Sequence, residues 1–509
     1  MLAKVLSGTT VGLEPVPITV EVDIYTKGLP SFTIVGLPDK SVEEARERVR
    51  AAIKNTGAEF PAHRITVNLA PADLPKEGPA FDLPIALGIL LASSQIVAKV
   101  DNNLFYGELS LDGSLRHTNG VLSMALLVKQ TNLKGMFIPS VNAGEAAVVK
   151  GVKVYPVGNL LNLFHHLIDS VTIKAHPHVS FSDISADTLA EFDLSDIKGQ
   201  EQGKRVLEIS AAGGHNLSMT GVPGAGKTML ARALPAILPD LTEDEALEVT
   251  KICSVTGNIP AGASIIKTRP FRAPHHTISR IGLIGGGAHP MPGEISLAHR
   301  GVLFLDEFAE FPRHVLEALR QPMEDGIVTI ARAAGTVSYP AKFEMIAASN
   351  PCPCGYFGDP VKRCRCLSYQ IEKYRKRLSG PIMDRIDLHI TLPPVQMEKL
   401  TGTGSAETSK SVKRRVQKAR DIQTKRYKKT KSAKVVCNAD LNSKMVKELI
   451  PLSQECMTLL RKAVVTMHLS ARSYFRTIKV SQTIADLEGA KNVSTAHLAE
   501  ALQYRVVEE

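Results

Sequence analysis

Hydrophobic and polar positions divide the chain into three stretches of different rhythm. Up to about residue 175, short β-rich runs such as "PITVEVDIY", "SFTIVGL" and "RITVNLAP" are mixed with helical segments such as "SVEEARERVRAAIKNTG". In that helix the sequence offers Ser41 as the cap, Glu44 three places on, and Gly57 as the stop. The longest apolar run, Leu83–Val97, is interrupted by Pro84 and by Ser-Ser-Gln. It is shorter than the roughly 20 residues that cross a bilayer and predicts a buried helix. A polar stretch, "SFSDISADTLAEFDLSDIKGQ", then leads into a second region, 185–392, where apolar strands alternate with helices as a parallel sheet requires. The remainder, 393–509, is mostly helical, with "RSYFRTIKVSQTIADLEGA" and "STAHLAEALQYRV" periodic near 3.6 residues.

Composition changes this picture in three ways. A length of 509 residues exceeds one hydrophobic core and predicts two to four domains at about 150 residues each. The amino terminus carries no continuous apolar segment of the kind a secretory signal needs, so a cytoplasmic protein with no membrane segment is expected. Seven cysteines without such a signal point to a reducing compartment, where clustered cysteines serve as ligands more often than as disulfides. Net charge is +10, and the excess is uneven: from Lys410 to Lys431 there are eleven Lys or Arg against one Asp. Such a block either attracts a polyanion or is the solvated basic face of a helix.

The most informative stretch is "HNLSMTGVPGAGKTMLARAL". An apolar strand leads to Gly221, then Gly224, Gly226, Lys227 and Thr228 open a helix, the G-x-x-x-x-G-K-T spacing in its strand, loop, helix context. The glycines let backbone amides turn toward phosphates, Lys227 reaches the β/γ oxygens of ATP, and the Thr228 hydroxyl suits Mg²⁺. In "RGVLFLDEF" the buried strand Val302 to Leu305 delivers Asp306 and Glu307 to the same sheet edge; Asp306 suits the magnesium shell and Glu307 a base for water. The next strand, "FEMIAASN", ends at Asn350, an amide placed to hold attacking water or to sense γ-phosphate.

The set "GVPGAGKT", "GVLFLDE", "IAASNP" and "GPIMDRIDLHI" resembles the AAA+ ATPases of the magnesium-chelatase and MCM-like branch. The whole chain, from "GLEPVPITVEVDI" through "RPFRAPHHT" to "SARSYFR", resembles the ComM (YifB) family of magnesium-chelatase-like proteins. That resemblance implies a hexameric ATP-driven DNA helicase that promotes branch migration during homologous recombination of transforming DNA. Its partners would be single-stranded and branched DNA, further copies of the chain and recombination proteins. It further implies that Arg385 in "MDRID" is an arginine finger reaching a neighbour's γ-phosphate, and that Arg472 in "SARSY" is the second sensor arginine on a helical lid. A permanently charged fork suits both roles.

Further expectations attach to the same frame. "GIVTIARAAGTVSYPAKF" reads as a hairpin ahead of the sensor strand; related helicases project it into a pore, where Arg332 would contact a DNA phosphate. The Gly- and Pro-rich segment with Arg269, Arg272 and Arg280 resembles the helix-two insert of this branch, also pore-facing, and the adjacent His275 and His276 are read as non-metal residues. In the first region, "LPKEGPAFDLPIALGILLAS" and "FYGELSLDGSLR" are similar to the Lon proteolytic domain, of ribosomal S5 domain 2-like α/β fold. Where that family has its nucleophilic serine this chain has Ala80, whose methyl cannot attack a carbonyl. The expected architecture is therefore a Lon-like domain over 1–175, an AAA+ core over 185–392, and a helical lid or C-terminal domain over 393–509.

The core carries one further feature, an insertion over 352–366. Cys352 and Cys354 form one C-x-C, Cys364 and Cys366 another. Three readings stand: a structural Zn²⁺ site, which four thiolates in two close pairs favour, unligated loop cysteines, and a redox switch. The zinc reading places a clipped insertion extending from the core toward a subunit interface or DNA. ATPase motifs are silent about substrate, so a remodelling or chelatase-type motor acting on a protein partner stands beside the DNA motor.

Overall fold

A computed structural model describes residues 2–27, 29–184, 191–259, 263–287, 290–332, 335–378, 380–395, 407–428 and 435–505. The chain divides into two compact units, Met1–Ser185 with Glu243–Ile266, and Ala186–Thr242 with Lys267–Glu509.

In the first unit a seven-stranded mixed sheet runs in the order Ser31–Val35, Arg64–Ala70, Glu14–Tyr25, Leu2–Val11, Asn103–Phe105, Gly135–Pro139, Lys153–Val157. The long pair Leu2–Val11 and Glu14–Tyr25 is antiparallel, while the last three strands pair in parallel. Helix Asp82–Ala92 takes up the apolar run of the sequence and buries ten of its eleven residues. It lies so close to the sheet that a Cβ on Gly88 would come within 2.5 Å of Val22 Cγ2. Helix Lys40–Asn55 starts one residue before Ser41: its cap is Asp39, whose carboxylate accepts from Val42 N at 2.7 Å and from Gly78 N at 3.1 Å. A second, distant donor favours the acid over the serine. Gly57, at φ 80°, follows the last turn as expected.

The linear reading contains no excursion, yet residues of Glu243–Ile266 leave the second unit and complete the first. Helix Glu243–Thr256 buries Ala246, Val249 and Ile252 there. Ser254 Oγ donates to the buried Glu145 at 2.5 Å, and Lys251 pairs with Glu14 at 2.9 Å. No helix among the described residues is long and apolar enough to cross a membrane.

The second unit is built on a five-stranded parallel sheet ordered Phe271–Arg272, Val302–Leu305, Glu344–Ser349, Leu217–Gly221, Leu388–Leu392. All strands point the same way, so their carboxyl ends share one edge. The strand Val302–Leu305 has the extent that the sequence predicts and is wholly buried. Beyond the sheet come helices Ser409–Tyr427, Ser443–Leu449, Gln454–Thr466, Ala471–Glu488 and Thr495–Gln503, the last three capped by Ser453, Ser470 and Ser494. They enclose their own core, with Tyr427, Leu460, Ile478 and Leu498 at its centre.

Candidate nucleotide site and cysteine cluster

Gly221 ends the strand Leu217–Gly221, and a Cβ there would lie 2.9 Å from the Leu392 carbonyl oxygen of the neighbouring strand, which is why this position has no side chain. Gly224 and Gly226 both hold positive φ, 82° and 87°, and face open space. Helix Lys227–Ala233 follows. The Lys227 ammonium is turned back on the loop, donating to Gly221 O at 2.6 Å, Val222 O at 3.1 Å and Asn350 Oδ1 at 3.2 Å. Burial lowers its pKa, with Asp306 opposing.

Thr228 Oγ1 donates to Asp306 Oδ2 at 2.9 Å. A hydroxyl beside a carboxylate is the oxygen donor set a hard divalent cation takes, so the residues present fit Mg²⁺. Four of the sequence-chosen residues, Lys227, Thr228, Asp306 and Asn350, thus meet directly. Glu307 stands next to them in the left-handed region, φ 51° and ψ 44°, its amide donating to Asp306 Oδ1 at 2.9 Å. Its carboxylate faces His276, Nδ1 to Oε2 at 2.9 Å. Sequence reasoning dismissed His276 as a ligand and so passed over it; a histidine shortly after an edge strand of this sheet was the available signal.

Arg385 and Arg472 also meet, but at Glu324 rather than at Lys227. Arg385 Nη2 lies 2.6 Å and Arg472 Nη2 3.1 Å from the same Glu324 oxygen. Arg385 is nearly buried, donates to Pro381 O, and leaves its Nε without a partner among the described residues. Two residues on, Asp387 joins His215 at 3.3 Å and Arg476 at 2.9 Å. Burial would raise the Asp387 pKa, but Arg476, His215 and Lys479 hold it far below the usual carboxylate range.

The hairpin expected ahead of the sensor strand forms from Ile327–Arg332 and Gly335–Pro340. The Arg332 side chain and residues 333–334 lie outside the described residues. In the preceding segment two of the three chosen arginines are engaged within the unit. Arg269 donates to Pro239 O and Arg300 O, and Arg272 forms a two-point pair with Glu294 at 2.6 and 2.7 Å. In the basic block, helix Ser409–Tyr427 turns Arg415 to Glu208, Arg420 to the Ala211 and Ala212 carbonyls, and Arg426 to Asp486. Lys410, Arg414, Lys418, Lys425 and Lys428 remain exposed. At about 100° per residue these five fall within an arc of about 80°.

The four cysteines converge. Sγ–Sγ distances are 3.4 Å for Cys352–Cys354, 3.7 Å for Cys352–Cys364 and 3.6 Å for Cys354–Cys364, and all four sulfurs lie within 4.8 Å of one another. Four thiolates at ~2.3 Å from a tetrahedral zinc sit about 3.8 Å apart, so the cluster fits that ion. Backbone N–H groups of Tyr356 and Arg365 lower the Cys354 thiol to about 6. The base of the loop packs on its own phosphate loop, because Gly355, at φ 85°, has no side chain to hold it off Pro223.

The parallel sheet, the glycine-rich loop and the acidic strand end define a P-loop nucleotide-binding unit of the AAA+ class. Family profiles agree: one described as magnesium chelatase, subunit ChlI, matches residues 193–400, another for subunit ChlI of Mg-chelatase matches 20–142, and the subunit ChlI C-terminal profile matches 406–505. The chain is 45% identical over 509 residues to "Competence protein ComM" of Haemophilus influenzae, covering 99% of this chain and 98% of that one. It is 43% identical over 514 residues to YifB of Escherichia coli, covering 100% and 97%. The magnesium-chelatase 38 kDa subunit of Rhodobacter capsulatus is 28% identical over 185 residues, 33% of this chain and 52% of that one. The chain belongs to the ComM/YifB family of magnesium-chelatase-like AAA+ proteins.

Proposed function

We propose that the protein is a ring-forming, ATP-driven DNA helicase that promotes branch migration when incoming DNA is recombined. The observation that carries the reading is the meeting of Lys227, Thr228, Asp306 and Asn350 at one sheet edge. It is supported by the relative named a competence protein.

Each residue has a task in this reading. Lys227 exchanges its loop carbonyls for phosphate oxygens, and the amides around Gly224 and Gly226 line the phosphates. Thr228 and Asp306 would hold Mg²⁺, which would supply neutralisation of phosphate charge. Glu307 accepts a proton from the attacking water, His276 orients Glu307, and Asn350 holds that water or senses γ-phosphate. Arg385 leaves Glu324 to reach the neighbouring subunit's γ-phosphate, and Arg472 on the helical lid follows as second sensor. Hydrolysis then depends on assembly, for which we take a homohexamer.

DNA is the substrate that the charge favours. The exposed stripe Lys410, Arg414, Lys418, Lys425 and Lys428 offers phosphate contacts, with Arg332 of the hairpin as a second contact in the pore. The domain assignment in this reading is a Lon-like scaffold over 1–175 without its nucleophile, a core over 185–392 and a lid over 393–509, in a cytoplasmic protein. Ala80 is buried. The role of the N-terminal domain is assembly or DNA binding rather than peptide hydrolysis.

The test is ATPase and strand displacement by the purified chain on forked and three-strand DNA. DNA is expected to stimulate hydrolysis and to be remodelled. Glu307→Gln is expected to lower kcat by about 100-fold or more while ATP binding remains. DNA that neither stimulates hydrolysis nor is remodelled would refute the DNA motor and favour the second reading, a chelatase-type motor on a protein partner, which the chelatase profiles keep in play.

A further inference from the structure

A cleft of about 380 Å³ opens beside the phosphate loop. One side is Pro223, Gly224 and Gly226; another is Tyr356, Val361 and Lys362, all from the loop between Cys354 and Cys364. A cysteine cluster that follows a sensor residue in sequence therefore supplies part of the container for its own chain's nucleotide.

That wall has little to hold it besides sulfur. None of residues 356–363 is buried, and Val361 is 87% exposed, so no apolar core offsets the entropy of ordering them. Local hydrogen bonds shape the loop: Asp359 Oδ1 accepts from Val361 N at 2.7 Å and Lys362 N at 3.0 Å, and Gly355 N donates to Cys352 O at 3.0 Å. Lys362 Nζ stands 5.0 Å from the Tyr356 ring centre, which keeps a cation and an aromatic face together at the cleft. At the base of the loop, Gly355 allows an approach to Pro223 that a Cβ would close to 2.7 Å. Arg375 stacks over the Phe357 ring at 5.3 Å, and the groups among the described residues that can tie the two ends of the loop together are the four cysteines, whose spacing fits zinc.

We propose that the four-cysteine zinc site anchors one wall of the nucleotide cleft, so that zinc and a nucleoside triphosphate bind this chain cooperatively. The proposal rests on the ATP-site reading above. Zinc on Cys352, Cys354, Cys364 and Cys366 closes the loop, the closed loop presents Tyr356 and Lys362 to the nucleotide, and loss of zinc releases both. Because coupling between two ligands is reciprocal, bound nucleotide strengthens zinc retention by the same factor.

The experiment uses the full chain, its zinc content measured, with mant-ATP as the fluorescent probe. Stripping zinc from the wild type, or Cys364→Ser, is expected to weaken mant-ATP binding by about tenfold, within the range usual for coupled sites. Lys362→Ala is expected to keep zinc and still weaken binding, which holds even should Cys364→Ser fail to fold. Non-hydrolysable ATP is expected to slow transfer of zinc to a chelator. Equal mant-ATP affinity with and without zinc overturns the proposal, as does a purified chain that holds no zinc and whose seven cysteines all titrate as free thiols. Failure of the underlying ATP reading looks different: zinc-loaded wild type and Lys227→Ala would then both ignore mant-ATP.

Discussion

Glu307 holds a backbone conformation that costs a residue other than glycine about 1–3 kcal/mol, and strain of this kind persists where surrounding contacts over-determine it. Here those contacts are Asp306 on its amide and His276 on its carboxylate. We expect His276→Ala to lower kcat several-fold with little change in mant-ATP affinity, and His276→Asn to recover part of the loss; equal loss in both variants would leave His276 a merely structural residue. A second residue reads differently in the folded chain than in the sequence. Glu344 opens the strand that ends beside Asn350, and burial pushes its pKa up to about 7 against the pull of Ser210 and Arg420. The Ser210 hydroxyl has one proton, and it lies 2.7 Å from His215 O and 2.5 Å from Glu344 Oε1. Both contacts are satisfied when Glu344 keeps its own proton. The folded chain then holds a proton that the unfolded chain gives up near 4.5, so stability is lost as pH rises from about 4.5 to about 7. Glu344→Gln should flatten that fall, by up to roughly 3 kcal/mol, in thermal unfolding compared at the two ends of the window. Lys227, Thr228, Asp306 and Asn350 were legible in the sequence because each follows an apolar strand in a fixed motif. His276 and Glu344 were not, since their partners, Glu307 and Ser210, come from other segments of the chain.

At the scale of elements, what the sequence carried best was the sheet. Val302–Leu305 is a run of four apolar residues with no competing period, and burial on both faces keeps it so. Close approach between strands was hidden, because a glycine's reason lies in its neighbour. At Gly221 that neighbour is the Leu392 carbonyl, and Gly221→Ala should cost about 1–3 kcal/mol of stability and weaken nucleotide binding, measurable by melting and by mant-ATP titration. Helix Arg320–Asp325 was equally unreadable as a functional element, yet its Glu324 gathers Arg385 and Arg472 from two distant segments. Arg385 Nε has no hydrogen-bond partner among the described residues, and in the proposed function this arginine exchanges Glu324 for a neighbour's γ-phosphate. Arg385→Ala should lower DNA-stimulated kcat by about a thousandfold without loss of ATP affinity. Glu324→Gln removes only the shared anion, and should change kcat far less; similar losses in both variants would reduce the pair to a fold contact.

At the scale of the molecule, the basic excess proves to be sorted. Helix Ser409–Tyr427 spends Arg415, Arg420 and Arg426 on its own unit and leaves a stripe of exposed cations on one face. The eleven charges of the block were visible in sequence; which of them face solvent depended on the partners Glu208 and Asp486, far along the chain. Replacing Lys410, Arg414 and Lys418 by Gln should weaken DNA binding and reduce the salt dependence by up to about 0.9 in log–log slope for each cation removed, with ATPase in the absence of DNA unchanged. The excursion of Glu243–Ile266 has a consequence of another kind. The first unit is written in two pieces of the gene, with residues 186–242 between them. No single cut separates the halves: a fragment beginning at 186 would carry Ala246, Val249 and Ile252 stripped of their cover, and one ending at 185 would leave Glu145 without Ser254. An exchange of N-terminal domains between relatives, in the laboratory or in evolution, therefore has to carry this helix along, which ties the inheritance of the first unit to that of the second.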